Sequence, residues 1–271
     1  MSGPPAPPGS WVGADAYEAY VGRWSRLVAP RFLDWLGVPE GKRWLDVGCG
    51  TGALSSAVLT ACAPVEVVGV DPSLPFVAHA ATQVPDPRAA FRKGDAEHLP
   101  VDHSSFDAVV AGLVLNFVPD QPAALREMRR VAQPGGVVAA YVWDYADGMQ
   151  LMTHFWDAAV ESAPGAGALR EDLRFAMCRP EPLRELFLDA GLADVVVDEI
   201  VVPTVFVDFD DYWSPFLGGQ GPAPAYAMSL PEEDRAALRE ALRARLPVDG
   251  DGSIRLTARA WAVRGVNPTD R

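Results

Sequence analysis

The sequence predicts an α/β protein, a three-layer sandwich of helices packed on both faces of a seven-stranded, mostly parallel sheet. Two observations carry this prediction. Short apolar runs ending in glycine or aspartate recur along the chain, as strands buried on both faces do. Stretches of helical length and periodicity lie between most of them, and such alternation calls for a parallel sheet with crossover helices.

Taken in order, residues 14–36 are expected to form a leading helix, with Tyr17, Tyr20, Val21, Trp24, Leu27 and Val28 at roughly helical spacing. Residues 43–47 are a short apolar run closed by glycines, and predict the first strand. A helix over 53–61, a strand over 65–70, a helix over 74–81 and a strand over 89–92 follow. Residues 106–111 predict the fourth strand and 121–132 the helix after it. Pro134-Gly135-Gly136 is a turn signal ahead of a fifth strand over 137–143. Strict alternation then breaks. Helices near 149–161 and 182–190 precede a β-rich run over 195–206, an aromatic-rich stretch over 208–219 and a polar helix over 231–246. Residues 254–263 alternate apolar with polar side chains and predict the last strand.

At 271 residues the chain can bury one substantial core without needing a second. Residues 1–13, rich in proline, are expected to be a disordered tail and not a signal peptide. Residues 14–271 are expected to form a single domain, with its core at about 40–145 and 180–265 and an insertion at about 207–250 acting as a lid. The net charge of −13, from 23 basic and 36 acidic side chains, opposes docking on a phosphate backbone, so no nucleic-acid partner is expected. No apolar run has the length of a membrane span, and no membrane partner is expected. Cys49, Cys62 and Cys178 are odd in number and lack metal spacing, which suits a reduced, cytoplasmic protein. No cluster of Asp, Glu, His or Cys has metal spacing, so no metal site is expected. The partner expected is a small-molecule acceptor, with the chain as monomer or homodimer.

In open α/β sheets, ligands bind beyond the carboxyl ends of the strands. The first strand runs into Leu45-Asp46-Val47-Gly48-Cys49-Gly50-Thr51-Gly52, where three glycines permit a sharp turn and a close approach to bare main chain. The second ends Val70-Asp71-Pro72-Ser73, and an ionised carboxylate at that point can accept both hydroxyls of a ribose. The third ends Gly94-Asp95-Ala96-Glu97, with Asp95 placed to accept from an adenine amino group, and the fourth ends Ala111-Gly112-Leu113. Together they outline a cleft for an adenosine. The glycine loop also satisfies the dinucleotide pattern G-x-G-x-x-G/A. An NAD(P)-dependent oxidoreductase therefore remains an alternative, although neither lysine of the chain has a tyrosine placed to make a Tyr-x-x-x-Lys pair.

Five ordered motifs carry a family resemblance: residues 45–52, Val68-Gly-Val-Asp-Pro-Ser73, Gly94-Asp-Ala-Glu-His-Leu-Pro100, Phe106-Asp-Ala-Val-Val110 and Glu127-Met-Arg-Arg-Val-Ala-Gln-Pro-Gly-Gly136. The series resembles class I S-adenosylmethionine-dependent methyltransferases, nearest to the small-molecule, quinone-biosynthesis-like subgroup. It covers residues 44–143 closely and the rest loosely. The resemblance implies a Rossmann-like sandwich with an antiparallel last strand and S-adenosylmethionine as cofactor, leaving S-adenosylhomocysteine as product. It also implies that the loop Gly48, Cys49 and Gly50 lines the methionine portion, and that Asp46 is among the cofactor-binding residues. Asp71, with Pro72, would hold the ribose, Asp95 and Ala96 the adenine, and Ala111, Gly112 and Leu113 the amino group and sulfonium. Tyr20 and Arg23 stand where the family's leading helix closes over the methionine carboxylate.

The acceptor side is expected to be bordered by Trp24, Trp143, Tyr145, His154, Trp213 and Phe216, which suits a small apolar or aromatic metabolite with an O, N or C nucleophile. His154, with Tyr20, is the candidate for proton removal, since imidazole titrates near neutrality. A structural role for His154, and a protein that binds S-adenosylmethionine without turnover, stay open beside these readings. Cys49 is expected to pack and not to react.

Overall fold

The structure is a computed structural model that describes residues 22–219 and 221–269. The expected tail, the start of the leading helix and Tyr20 lie outside the described residues. Two compact units emerge, each assembled from separate stretches of sequence. The first comprises residues 25–143, 177–200 and 260 onward; the second takes 22–24, 144–176 and 201–259.

The first unit is built on the sheet. The strands are β1 Arg43–Val47, β2 Glu66–Asp71, β3 Ala89–Lys93, β4 Phe106–Gly112, β5 Ala132–Trp143, β6 Ala193–Phe206 and β7 Ile254–Val266, in the order β3-β2-β1-β4-β5-β7-β6; residues 201–206 of β6 and 254–259 of β7 are counted with the second unit. β1 to β5 pair in parallel. β7 runs antiparallel to β5, from Val137 opposite Val266 to Trp143 opposite Ala260. The expected sandwich, with its antiparallel last strand, is therefore present. From β1 the order leads outward both ways, to β2 on one side and β4 on the other, and this reversal opens a crevice at their carboxyl ends.

The local sequence explains the elements. Trp44 to Val47 and Val67 to Asp71 are buried throughout, as central parallel strands must be, whereas β6, at the end of the order, alternates buried with exposed residues. The helices are α1 Arg23–Leu36, α2 Ala53–Ala61, α3 Leu74–Gln83, α4 Gln121–Val131 and, after Pro180 opens its first turn, α7 Pro180–Asp189. α4 starts at Asp120, whose carboxylate accepts from the Ala123 N–H at 2.8 Å, and buries Ala124, Leu125, Met128 and Val131.

One expectation is corrected. Pro134-Gly135-Gly136 does not end a loop before β5; the strand already pairs at Ala132. Phe106 faces Ala132 and Ala108 faces Val137, so the single residue Asp107 stands opposite residues 133–136. The turn residues make a wide bulge inside the strand, with Gly135 at φ +78°. Asn267 locks it. Its amide donates to the carbonyls of Ala132 (2.9 Å), Arg129 and Gln133 (3.3 Å each), while its oxygen accepts from Arg129 Nε at 3.2 Å.

The second unit is helical: α5 Gln150–Ser162, α6 Glu171–Arg174, α8 Phe209–Trp213, α9 Pro222–Ser229 and α10 Glu232–Arg245, with 3-10 turns at Pro164–Leu169 and Ser214–Gly218. Residues 207–250, expected as an insertion, share this unit with 144–176. α9 lies between the expected aromatic-rich stretch and the expected polar helix, in a segment for which no element was expected. Pro222 sits in the first turn, where a helix needs no donor. Aromatic rings fill the interior. Phe155 stacks on Phe216 at 4.5 Å between ring centres, and Tyr212 packs against both Phe206 and Phe216 and donates to the Leu151 carbonyl at 2.9 Å. Asp144, almost wholly buried, receives Arg259 Nη2 at 2.7 Å and the N–H groups of Ala146 and Asp147, which fixes the turn into α5. No described helix is long and apolar enough to cross a membrane.

Asn267→Ala removes the bulge's four side-chain hydrogen bonds and leaves carbonyls unpaired, so we expect unfolding in urea to show a loss of about 2 kcal/mol. A loss below about 0.5 kcal/mol would mean the bulge holds itself.

Candidate active site

The glycine loop is a main-chain construction. Gly48, Gly50 and Gly52 all have positive φ (+72°, +51° and +88°), a region closed to most side chains. The N–H groups of Gly48 and Cys49 both donate to the Val70 carbonyl, at 2.7 and 3.1 Å, tying the loop to the end of β2. A Cβ on Gly48 would lie 2.4 Å from a methyl of Val114, whereas nothing stands within 4 Å of the corresponding point on Gly50. The loop is thus pressed against the protein at Gly48 and open at Gly50. It leads directly into α2, whose first-turn N–H groups have no partner within the helix.

Asp71, at the end of β2, is the second member. It is buried, and its two oxygens accept from Gly50 N (3.0 Å) and Ser73 N (2.8 Å). Each oxygen keeps a further lone pair able to accept from a hydroxyl. Burial pushes this carboxyl upward, while the two main-chain bonds pull it back. Beneath the loop, Asp46 is fully buried and accepts from the Ser55 hydroxyl at 2.7 Å. Burial lifts it to about 7. The Cys49 thiol is pushed up further by burial and then by Asp46 and Asp71, so it stays protonated and packs, as expected.

Asp95 is exposed just beyond β3. One of its oxygens accepts from the Glu97 N–H at 2.8 Å, which leaves the other free, and Ala96 is half-buried beside it. Ala111, Gly112 and Leu113 close β4. A Cβ on Gly112 would stand 2.7 Å from the Tyr141 hydroxyl, and Leu113 takes the left-handed conformation at φ +59°. Such a conformation in a branched side chain costs on the order of 1 kcal/mol and marks a position held by its surroundings, here by its N–H bond to the Tyr141 carbonyl at 2.8 Å. Trp143 ends β5 buried, its indole N–H without an acceptor among the described residues. Pro72, exposed, starts the turn that Ser73 completes by capping α3.

Sequence reasoning missed the support of the third tip. Glu127 accepts from the Leu99 N–H at 2.8 Å, and Arg130 grips Glu127 at 2.6 and 2.7 Å while donating to the carbonyls of Leu99 and Val101. This α4 pair pins the loop after Asp95. Its signal was the Glu-x-x-Arg spacing, which puts both side chains on one helix face. The Arg130 hydrogen bond holds Glu127 below its usual range.

The remaining expected site residues belong to the second unit. Arg23 is engaged there: Nη1 bonds Asp211 at 2.9 Å, and its plane lies 4.4 Å from the Trp24 ring centre and 4.8 Å from that of Phe206. Its Nε and Nη2 are buried without a partner among the described residues. Tyr145 packs on Phe175. Trp213 and Phe216 are buried in the aromatic interior; Phe216 has no exposed surface. His154 is half-buried on α5. Burial draws it below its usual 6.5, so its imidazole is neutral at pH 7; Asp157 opposes that shift and Arg245 adds to it. Glu171, also missed, is buried where its carboxylate accepts from the Trp156 indole N–H and from Ala223 N (3.2 Å), joining α5, α6 and α9. Among the described residues no group of His, Cys, Asp or Glu is arranged to hold a metal.

Residues 45–140 match the sequence profile of the methyltransferase domain family. The demethylmenaquinone methyltransferase of Roseiflexus castenholzii is 43% identical over 101 residues, which is 37% of this chain and 42% of that relative. The chain thus aligns with less than half the length of such curated relatives. Two solved structures share the fold. Phosphoethanolamine N-methyltransferase 2 of Haemonchus contortus, in complex with S-adenosyl-L-methionine, has a TM-score of 0.57 at 18% identity, covering 94% of this chain and 56% of that one. The [4+2]-cyclase SpnF has a TM-score of 0.55 at 19% identity, covering 97% and 88%. The stretch carrying the four strand tips, residues 45–140, is thus similar to the methyltransferase domain family.

Gly48→Ala must force a Cβ into Val114 at a left-handed position. We expect S-adenosylmethionine affinity to fall at least tenfold by calorimetry, since about 1–2 kcal/mol of strain enters before the clash is counted. Undiminished affinity would show that the loop need not keep this shape.

Proposed function

We propose that this chain catalyses S-adenosylmethionine-dependent methyl transfer to an O, N or C nucleophile of a small apolar or aromatic metabolite. One observation carries the reading: the open main chain at Gly50 is bonded directly to the Asp71 carboxylate, so a single rigid piece presents bare backbone and a sugar acceptor together. The residues fit the cofactor. Asp71 would hold the ribose hydroxyls, Asp95 with Ala96 the adenine, Gly48 to Gly50 the amino-acid end, and Gly112 and Leu113 the amino group and sulfonium. When bound, the cofactor supplies an activated methyl group, and the chain's own task is alignment and exclusion of water. Orientation alone contributes about 7–11 kcal/mol to such displacements, so no elaborate acid–base apparatus is required.

His154 is the group we assign to proton removal. Its imidazole, kept neutral by burial, has a free lone pair at pH 7. The roles assigned to Trp24, Trp143, Tyr145 and Trp213 are those of acceptor walls, with Phe216, which has no exposed surface, as backing. The rings stacked around Phe216 give such walls stiffness, and an aromatic surround suits an apolar guest. A second reading is supported by the fold shared with SpnF, which is named for a cyclisation. On that reading the chain holds the cofactor without transferring its methyl group.

Asp71→Ala should weaken S-adenosylmethionine binding by about 10- to 100-fold, the loss of hydrogen bonds to a charged acceptor; equal affinity in calorimetry would remove the site. Incubation of the wild-type chain with a metabolite extract should yield S-adenosylhomocysteine, and its absence at saturating cofactor would favour the non-transferring reading. His154→Ala should lower turnover at least tenfold with cofactor affinity unchanged. Full turnover in that variant would leave proton removal to another group.

A further inference from the structure

We propose that Asp46 couples cofactor binding to a proton: it stands as a carboxylic acid in the free chain and gives its proton to solvent when the cofactor's cationic end settles on the glycine loop. The inference rests on the proposed function, specifically on the amino-acid end lying along Gly48 to Gly50.

The geometry makes Asp46 unusual for a carboxyl group. It sits on β1 between β2 and β4, where its register partners are Gly69 and Val110, neither of which offers a side-chain donor. It is only 1% exposed. Its partners are both from Ser55 of α2: the main-chain N–H and the hydroxyl at 2.7 Å, the latter able to donate to a carboxylate or accept from a carboxylic acid by rotating. The charged and titratable groups around it offer no compensation. Asp71, across on β2, is a second carboxyl whose charge opposes ionisation, and the Cys49 thiol adds none. No cation figures among the groups that act on Asp46. A buried carboxyl without a positive neighbour stays protonated, and the arrival of one within a low-dielectric site favours ionisation. S-adenosylmethionine brings two positive centres, its ammonium and its sulfonium.

The sign follows from Asp46 lying near 7 in the free chain. Below that pH the group is an acid and must lose its proton for the carboxylate to face the cation, so binding releases a proton and strengthens as pH rises. Above it the carboxylate is already formed, and both effects fade. In step terms, the carboxyl O–H bond of Asp46 breaks, the proton passes to buffer, and the electron pair remains on the carboxylate.

Calorimetric titration with S-adenosylmethionine in buffers of different ionisation enthalpy measures the protons exchanged. For wild type we expect release of about 0.7 proton at pH 6.5 and under about 0.1 at pH 8.5, with affinity rising on the order of tenfold from pH 5.5 to 7.5. Asp46→Asn should bind without this release. Ser55→Ala, which removes the hydroxyl that favours the carboxylate, should move the release to higher pH and serves if the Asn variant does not fold. Binding with no proton exchange and a flat pH profile overturns the inference while leaving the proposed function standing. Equal release from Asp46→Asn also overturns it, assigning the proton to Asp71. No binding heat at any pH removes both.

Discussion

The bond from Gly50 N to the Asp71 carboxylate, with the paired donation of Gly48 and Cys49 to the Val70 carbonyl, is the constraint on which the site depends. These contacts fix a left-handed glycine turn between adjacent parallel strands, and the turn in turn sets where α2 begins. Neither contact could form if β1 and β2 were not neighbours in register, Val47 opposite Val70. Sheet order and ligand cradle are therefore one structural fact. The positive φ at Gly48 admits no side chain, and Val114 from the β4 side closes the space that one would occupy.

Around this piece the protein places carboxylates with distinct environments. Asp71 is buried but satisfied by main-chain donors, Asp95 is exposed, and Asp46 is buried beneath the loop against the hydroxyl and main-chain N–H of Ser55. Such separation of similar groups by surroundings gives one acid type different proton affinities and different free acceptor positions. Glu127 and Arg130 show the same economy in another form, since one ion pair on α4 anchors the loop that follows Asp95.

The strands and the helices between them were legible because their signals are local. Buried parallel strands are continuous apolar runs, and helix starts such as Asp120 carry their cap in the sequence. The strand tips were legible for the same reason, glycines and acids written in order. What stayed hidden depended on partners distant in the chain. Pro134-Gly135-Gly136 has the composition of a turn, and only Asn267 and the register with β4 make it a bulge. Asp144 and Glu171 were unremarkable acids until Arg259, Trp156 and Ala223 came to meet them. Arg23, expected to face a ligand carboxylate, has Asp211 as its partner, 188 residues along the chain.

By itself the sequence determined the class of fold, the order of the strand-tip motifs and the chemistry they can bind, because each depends on residues within a few positions of one another. Tertiary structure alone decided the division into two units, the aromatic interior around Phe155 and Phe216, and the burial that raises Asp46 and lowers His154. Burial and charge at a point are sums over neighbours from many strands and helices, and no local stretch of sequence contains that sum.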